Sequence, residues 1–297
     1  MNINNINTDY LDKVVAGVAE DIWYHFGISS KSPETEKMRS VRAVVMSGSG
    51  PRAAYFAGEW SKKSGAEIIR LDKEERFTFC YCGGIIFSSH GMGMPSASIA
   101  LHELMKMVYF LKRGNLDEID KVTWIRVGTS GGFGNIEEGG VVVSTEALEM
   151  DLHPYRLWHG NKQVWFIGQY PVGVAERIAE LGNSIGVHTI TGKTLCSHDF
   201  YLETMRLDGA IIFDTEASRS DLIAYYYNHG IRNNEMESGV VAGMLNHWGF
   251  SKFATICCII IDRSKGDQVV STPAELAGYV NNSEQVLFAY LAEIIVG

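Results

Sequence analysis

Residues 41–63 read VRAVVMSGSGPRAAYFAGEWSKK. A β-branched run gives way to a Gly/Ser-rich loop, and the chain then adopts a helical period with Pro51 placed for a first helical turn. The same succession recurs. GGIIFSS (83–89) leads into HGMGMPS and an amphipathic helix around ASIALHELMKMVYFLKR (97–113). VTWIRV (122–127) leads into the loop GTSGGFG, and TICCIII (255–261) leads into DRSKGDQ. GGVVVSTEAL (139–148) and KQVWFIG (162–168) read as further strands, DLIAYYYNHGI (221–231) and SEQVLFAYLAEII (283–295) as helices. Strands alternating with helices at this spacing predict an α/β fold with a largely buried sheet, whose ligand site lies in the loops after the strands. No linker or internal repeat divides the chain, so one domain over 1–297 is expected.

Bulk properties narrow the function. The chain of 297 residues is 46% hydrophobic with a formal net charge of −9, which argues against a general nucleic-acid or anionic-membrane surface. Its longest apolar run, at 255–261, is too short to span a bilayer. The opening MNINNINTDYLDKV lacks the basic and apolar regions of a secretion signal. The five cysteines have no metal-ligand spacing and are expected as reduced thiols. A cytoplasmic protein without metal or membrane partner is the expectation.

The loops carry the chemistry. GSGPRA (48–53) formally matches a dinucleotide pattern, with Asp72 placed for a ribose contact, but Pro51 and Arg52 crowd the position of a pyrophosphate. A single phosphate fits better, held by the backbone N–H groups of Gly48 and Ser49 and the charge of Arg52. The plain alternative is a strand-to-helix turn. In IRVGTSGGFG (125–134), Arg126 sits inside an apolar strand, where burial requires an anionic partner, and Thr129 and Ser130 add hydroxyls. Its alternative is an edge-strand arginine facing solvent. In NNEMESG (233–239), Glu235 and Glu237 flank Met236; a carboxylate there could grip sugar hydroxyls, or simply favour a helix N-terminus. His90 and His25 read as structural histidines, and no G-x-S-x-G elbow is present. DFYLETMRLDG (199–209) is either a solvated turn or a pocket wall on which Thr204 and Arg206 face a ligand.

Taken in order, these stretches resemble the uridine phosphorylases of the nucleoside phosphorylase superfamily, over nearly the whole chain from DIWYHFG (21–27) to GDQ (266–268). SHGMGMPS, RVGTSGGFG, DFY…RLDGA and RNNEMES carry the resemblance. It implies a three-layer α/β sandwich with a central mixed, twisted sheet between helices, and a homodimer. The implied reaction is reversible phosphorolysis of uridine or deoxyuridine to uracil and a pentose 1-phosphate in pyrimidine salvage. Inorganic phosphate is the co-substrate, and neither metal nor organic cofactor is implied. By position, Gly48, Arg52, Arg126 and Thr129 resemble the phosphate site. Arg76 resembles the arginine lent across the dimer to the neighbouring phosphate, and His25 the ribose-contacting histidine donated the same way. Met236 and Glu237 match the ribose-binding pair, Phe200 the aromatic against the base, and Arg206 the arginine on the uracil carbonyl. Arg126, Arg206 and Glu237 are the implied catalytic residues.

Two positions depart from the family pattern. A glutamine normally precedes the base-binding arginine by two residues, in a G-Q-x-R context; here Thr204 stands in its place and Glu203 replaces the glycine. Threonine is too short to make both of the glutamine's base contacts, and each lost buried hydrogen bond costs roughly 1–3 kcal/mol. Weak or altered uridine turnover follows, with a catalytically silent paralogue as the alternative. Asp262 stands where asparagine is usual and near the position of the purine branch's catalytic aspartate. Changed base choice is therefore a third reading, although Asp262 more simply pairs with Arg263.

Overall fold

The computed structural model of the chain describes residues 8–17, 19–71, 76–134, 136–266 and 268–296. By its internal contacts the chain divides into two compact units. One contains the described residues up to Arg126 with Met244–Phe253; the other contains Val127–Gly243 with the described residues from Ala254 onward.

In the first unit the Ala43–Ser47 strand runs parallel to Ile85–Ser89, both fully buried apolar runs. Ile85–Ser89 pairs antiparallel with Phe79–Cys82, which pairs with the short Ile68–Arg70 strand. The Gly50–Ser64 helix packs Phe56, Ala57 and Trp60 onto this sheet. It starts where the sequence placed it, with Ser49 at its N-cap and Pro51 in its first turn, and ends at Gly65 in the left-handed region (φ 71). The Met94–Leu111 helix is buried along most of its length and carries the Tyr24–Phe26 turn against its side.

In the second unit Val141–Leu148 lies between Thr189–Cys196, parallel to it, and Phe253–Asp262, antiparallel. Ile231–Glu235 runs parallel to Thr189–Cys196 and also pairs antiparallel with Gly131 and Gly132 of the Thr123–Gly132 strand. The Val172–Ser184 and Pro273–Val296 helices pack together, the former also against the sheet, and Glu216–Asn228 packs on Ile231–Glu235. Both units are thus mixed sheets flanked by helices, the α/β class read from the sequence.

Several boundaries differ from the sequence reading. GTSGG, read as a loop, continues the Thr123–Gly132 strand because Asn233 and Asn234 pair with its last glycines. KQVWFIG is a strand only over Lys162–Trp165, in an exposed hairpin with Arg156–His159. The final helix begins ten residues earlier than the sequence period indicated, at Pro273, because Thr272 and Glu275 form reciprocal capping hydrogen bonds.

Candidate functional site

Loops of the first unit approach closely at three glycines, two of which, Gly50 and Gly91, leave no space for a side chain. A Cβ on Gly48 would stand 3.5 Å from the Gly91 carbonyl oxygen. One on Gly50 would fall 2.3 Å from Thr78 Oγ1, and one on Gly91, at φ +72, 2.3 Å from Ser96 Oγ. Arg76 Nη2 donates to Ser96 Oγ at 3.4 Å, and its guanidinium lies 5.5 Å over the Phe77 ring. Phe77 N–H in turn donates to the His25 carbonyl at 3.1 Å. Gly48, Arg76 and His25 are therefore linked through a few contacts. Arg52 is half-buried in the first turn of the Gly50–Ser64 helix, whose N-terminus favours an anion. Arg126 is 3% exposed, which removes the reading of a solvent-facing edge arginine. His90 is buried at the end of its strand and donates its backbone N–H to the Ser47 carbonyl at 2.9 Å, a structural placement. Asp72 lies outside the described residues.

In the second unit, Thr129 is half-buried, whereas Ser130 belongs to a buried polar ladder. Ser130 Oγ accepts from Asn233 Nδ2 (2.9 Å), Asn233 Oδ1 accepts from Thr194 Oγ1 (2.8 Å), and Thr194 meets Ser144 at 2.6 Å. The two glutamates of NNEMESG separate cleanly. Glu235 accepts from Glu237 N–H (2.9 Å), Ser238 N–H (2.9 Å) and the Ser238 hydroxyl, so it caps the Ser238–Trp248 helix. Glu237 is buried immediately before that helix, beside half-buried Met236. Burial, reinforced by the charges of Glu235 and Glu237, pushes the Cys196 thiol well up, so it stays protonated.

The 197–208 loop is wired to itself. Glu203 accepts the backbone N–H of His198 and, at 3.4 Å, that of Asp199. Asp199 Oδ1 accepts from Tyr201 N–H (2.8 Å) and Leu202 N–H (2.6 Å). Thr204, 3% exposed, donates its hydroxyl to the Phe200 carbonyl. Met205 holds a left-handed conformation (φ 58), which strains a non-glycine residue, and is pinned there by burial among Phe133, Leu148, Leu195 and Tyr226. On the next residue, Arg206 Nε donates to Asp208 Oδ1 at 2.8 Å and Nη2 donates to Oδ2. The Arg206 guanidinium lies 5.1 Å over the Phe200 ring and 5.6 Å over Tyr201. Hydrogen bonds from Arg206 and Gln268 hold the Asp208 carboxyl down at about 2. Phe200, Thr204 and Arg206, singled out in the sequence, are brought together as an aromatic plate with a guanidinium across it.

Asp262 accepts from Ser264 N–H (3.0 Å) and Oγ (2.6 Å) and faces Lys265 Nζ at 3.2 Å. Burial pushes its carboxyl up, but the bonds from Ser264 and Lys265 outweigh this and hold it below the usual range. A group kept ionised is poorly suited to protonate a leaving base. Among the described residues no cluster of three or more His, Cys, Asp or Glu could hold a metal, and no helix is long and apolar enough to cross a membrane. All five cysteines are buried and free of disulfides.

A comparison with protein families matches residues 42–295 to the phosphorylase superfamily. The chain belongs to the phosphorylase superfamily. Among superfamily members with curated names it is 32% identical to uridine phosphorylase 1 of Mus musculus, over 88% of this chain and 84% of that one. It is 29% identical, over 92% of each chain, to a Schistosoma mansoni protein named inactive uridine phosphorylase B. The crystal structure of Schistosoma mansoni uridine phosphorylase in complex with uracil superposes with a TM-score of 0.87 at 28% identity, covering 97% of this chain and 98% of that one. The resemblance and the fold read from the sequence are both borne out. Sequence reasoning missed Asp208, Gln268 and Met205, which hold the phosphorylase's Phe200–Arg206 segment; the Arg-x-Asp spacing of 206–208 was the one available signal.

Proposed function

We propose that this phosphorylase superfamily member cleaves uridine and deoxyuridine reversibly with phosphate, yielding uracil and a pentose 1-phosphate in pyrimidine salvage, and that its uridine turnover is weak. The observation that carries the reading is the Arg206 guanidinium held across the exposed Phe200 ring. A planar base bearing a carbonyl finds there both a stacking face and a donor. Gly48, Arg52, Arg76, Arg126 and Thr129 bind phosphate; Met236 and Glu237 grip the ribose; Phe200 and Arg206 take the base. A phosphate oxygen attacks the anomeric carbon as the C–N bond breaks, and the bonding pair leaves with uracil. The arginines hold the nucleophile at attack distance while Arg206 stabilises the departing anion. In a homodimer, His25 reaches the partner's ribose and Arg76 the partner's phosphate. The Phe77 N–H bond to the His25 carbonyl ties the residue after Arg76 to His25.

A second reading, a silent paralogue that binds a nucleoside without cleaving it, is favoured by Thr204. Its hydroxyl is turned back onto Phe200 instead of outward, and one relative is named inactive. The ionised Asp262 speaks against purine cleavage. Phosphorolysis of uridine, deoxyuridine, thymidine, inosine and adenosine separates the three. Phosphate-dependent uracil release supports the proposal, binding without release supports the silent paralogue, and purine release supports changed base choice.

A further inference from the structure

We infer that Glu103 is a positioning residue that fixes the His25 ring with Nδ1 as donor and Nε2 as acceptor for a ribose hydroxyl. The assignment of Nε2 to a ribose rests on the nucleoside reading above; the ring's orientation does not. Glu103 lies on the Met94–Leu111 helix with its side chain 13% exposed. It meets His25 twice. The backbone N–H of His25 donates to its carboxylate at 3.0 and 3.3 Å, and ring Nδ1 lies 2.6 Å from Oε1. A carboxylate that accepts a backbone N–H offers only lone pairs, so Nδ1 must bring the proton. In the neutral ring Nε2 then carries the lone pair. Among the described residues nothing hydrogen-bonds Nε2, and His25 remains 30% exposed.

The segment bearing His25 is held at a second point as well. Three residues beyond Glu103 on the same helix, Lys106 Nζ meets Asp21 Oδ1 at 2.5 Å, and Asp21 also accepts from Trp23 Nε1 at 3.0 Å. The 21–25 segment is thus fastened to one helix at two points about one turn apart. Gly27, in the left-handed region at φ 67, turns the chain away, and Phe77 and Tyr24 flank the His25 ring at 6.1 and 5.2 Å.

The test is the tautomer of His25, read by long-range proton–nitrogen NMR on histidine-labelled protein and assigned with His25→Asn. The wild type should show protonated Nδ1 and bare Nε2. In Glu103→Gln the carboxamide oxygen must go to the backbone N–H, which turns its NH₂ toward Nδ1 and moves the ring proton to Nε2. The same variant should raise KM for uridine about tenfold, the worth of one good hydrogen bond, and change kcat by less than about threefold. Glu103→Asp, which keeps the carboxylate, should retain the wild-type tautomer. A wild-type ring protonated at Nε2, or an unchanged tautomer in Glu103→Gln, overturns the inference. The tautomer is read without substrate, so failure of uridine turnover would count against the functional proposal and leave this result standing.

Discussion

Replacing Thr204 by glutamine should raise uridine turnover. The native hydroxyl is spent on the Phe200 carbonyl, and the side chain is almost fully buried. Glutamine forfeits that bond, at a cost of about 0.5–1.5 kcal/mol. In return its amide reaches the base edge beside Arg206, where two hydrogen bonds made in the transition state contribute about 1–3 kcal/mol each. The forfeited bond lowers folding stability and not kcat/KM, so the gain is about 2–6 kcal/mol, or a rise in kcat/KM of about 30-fold to 10⁴-fold. Initial rates of uracil release at saturating phosphate measure it directly. Thr204→Val is the control: it loses the same bond to Phe200 and adds no amide, so it should not gain activity. The reasoning is refuted if Thr204→Gln melts within a few degrees of the wild type yet cleaves uridine no faster.

Three other consequences follow from the hydrogen bonds and charges. Glu235→Ala leaves three donors at the start of the Ser238–Trp248 helix unmet, and should cost about 2–4 kcal/mol in denaturant unfolding; a loss under about 0.5 kcal/mol would contradict the capping role. Pairing with buried Glu149, whose Oε1 lies 3.3 Å from Nε2, raises the His198 pKa above its ordinary 6.5. The stability this pair contributes is complete below 6.5 and is lost as pH rises through the raised value. The Tm deficit of His198→Gln should therefore be largest in mild acid and vanish in alkali, and the reverse trend would exclude the pair. Asp262, with its pKa depressed, contributes stability above 3.8 that disappears as pH falls through its folded value. Asp262→Asn should lower Tm at neutral pH and leave inosine uncleaved, as in the wild type; inosine cleavage abolished by this substitution would assign Asp262 the proton-donor role.

What was legible in the sequence was what periodicity and punctuation encode. The Ala43–Ser47 and Ile85–Ser89 strands are apolar runs, and Pro51 marks a helix start. Thr189–Cys196 and Ile231–Glu235 escaped notice because they are half polar. Their polar groups are satisfied sideways, Lys193 by Glu146 at 2.8 Å and Asn234 by Ser197 at 2.7 Å, and a single chain read in order carries no sign of such partners. At the candidate site, the resemblance pointed to Phe200, Arg206 and Glu237. It could not reveal that Glu203 caps two backbone N–H groups, that Thr204 turns inward, or that Asp208 grips Arg206. Nor does methionine advertise the left-handed conformation that Met205 adopts beside them.

The most direct single measurement is the release of uracil from uridine by the wild-type protein, with and without inorganic phosphate. The predicted result is slow, strictly phosphate-dependent release accompanied by ribose 1-phosphate, with kcat/KM well below that of Thr204→Gln. No phosphate-dependent uracil release from either protein would contradict it.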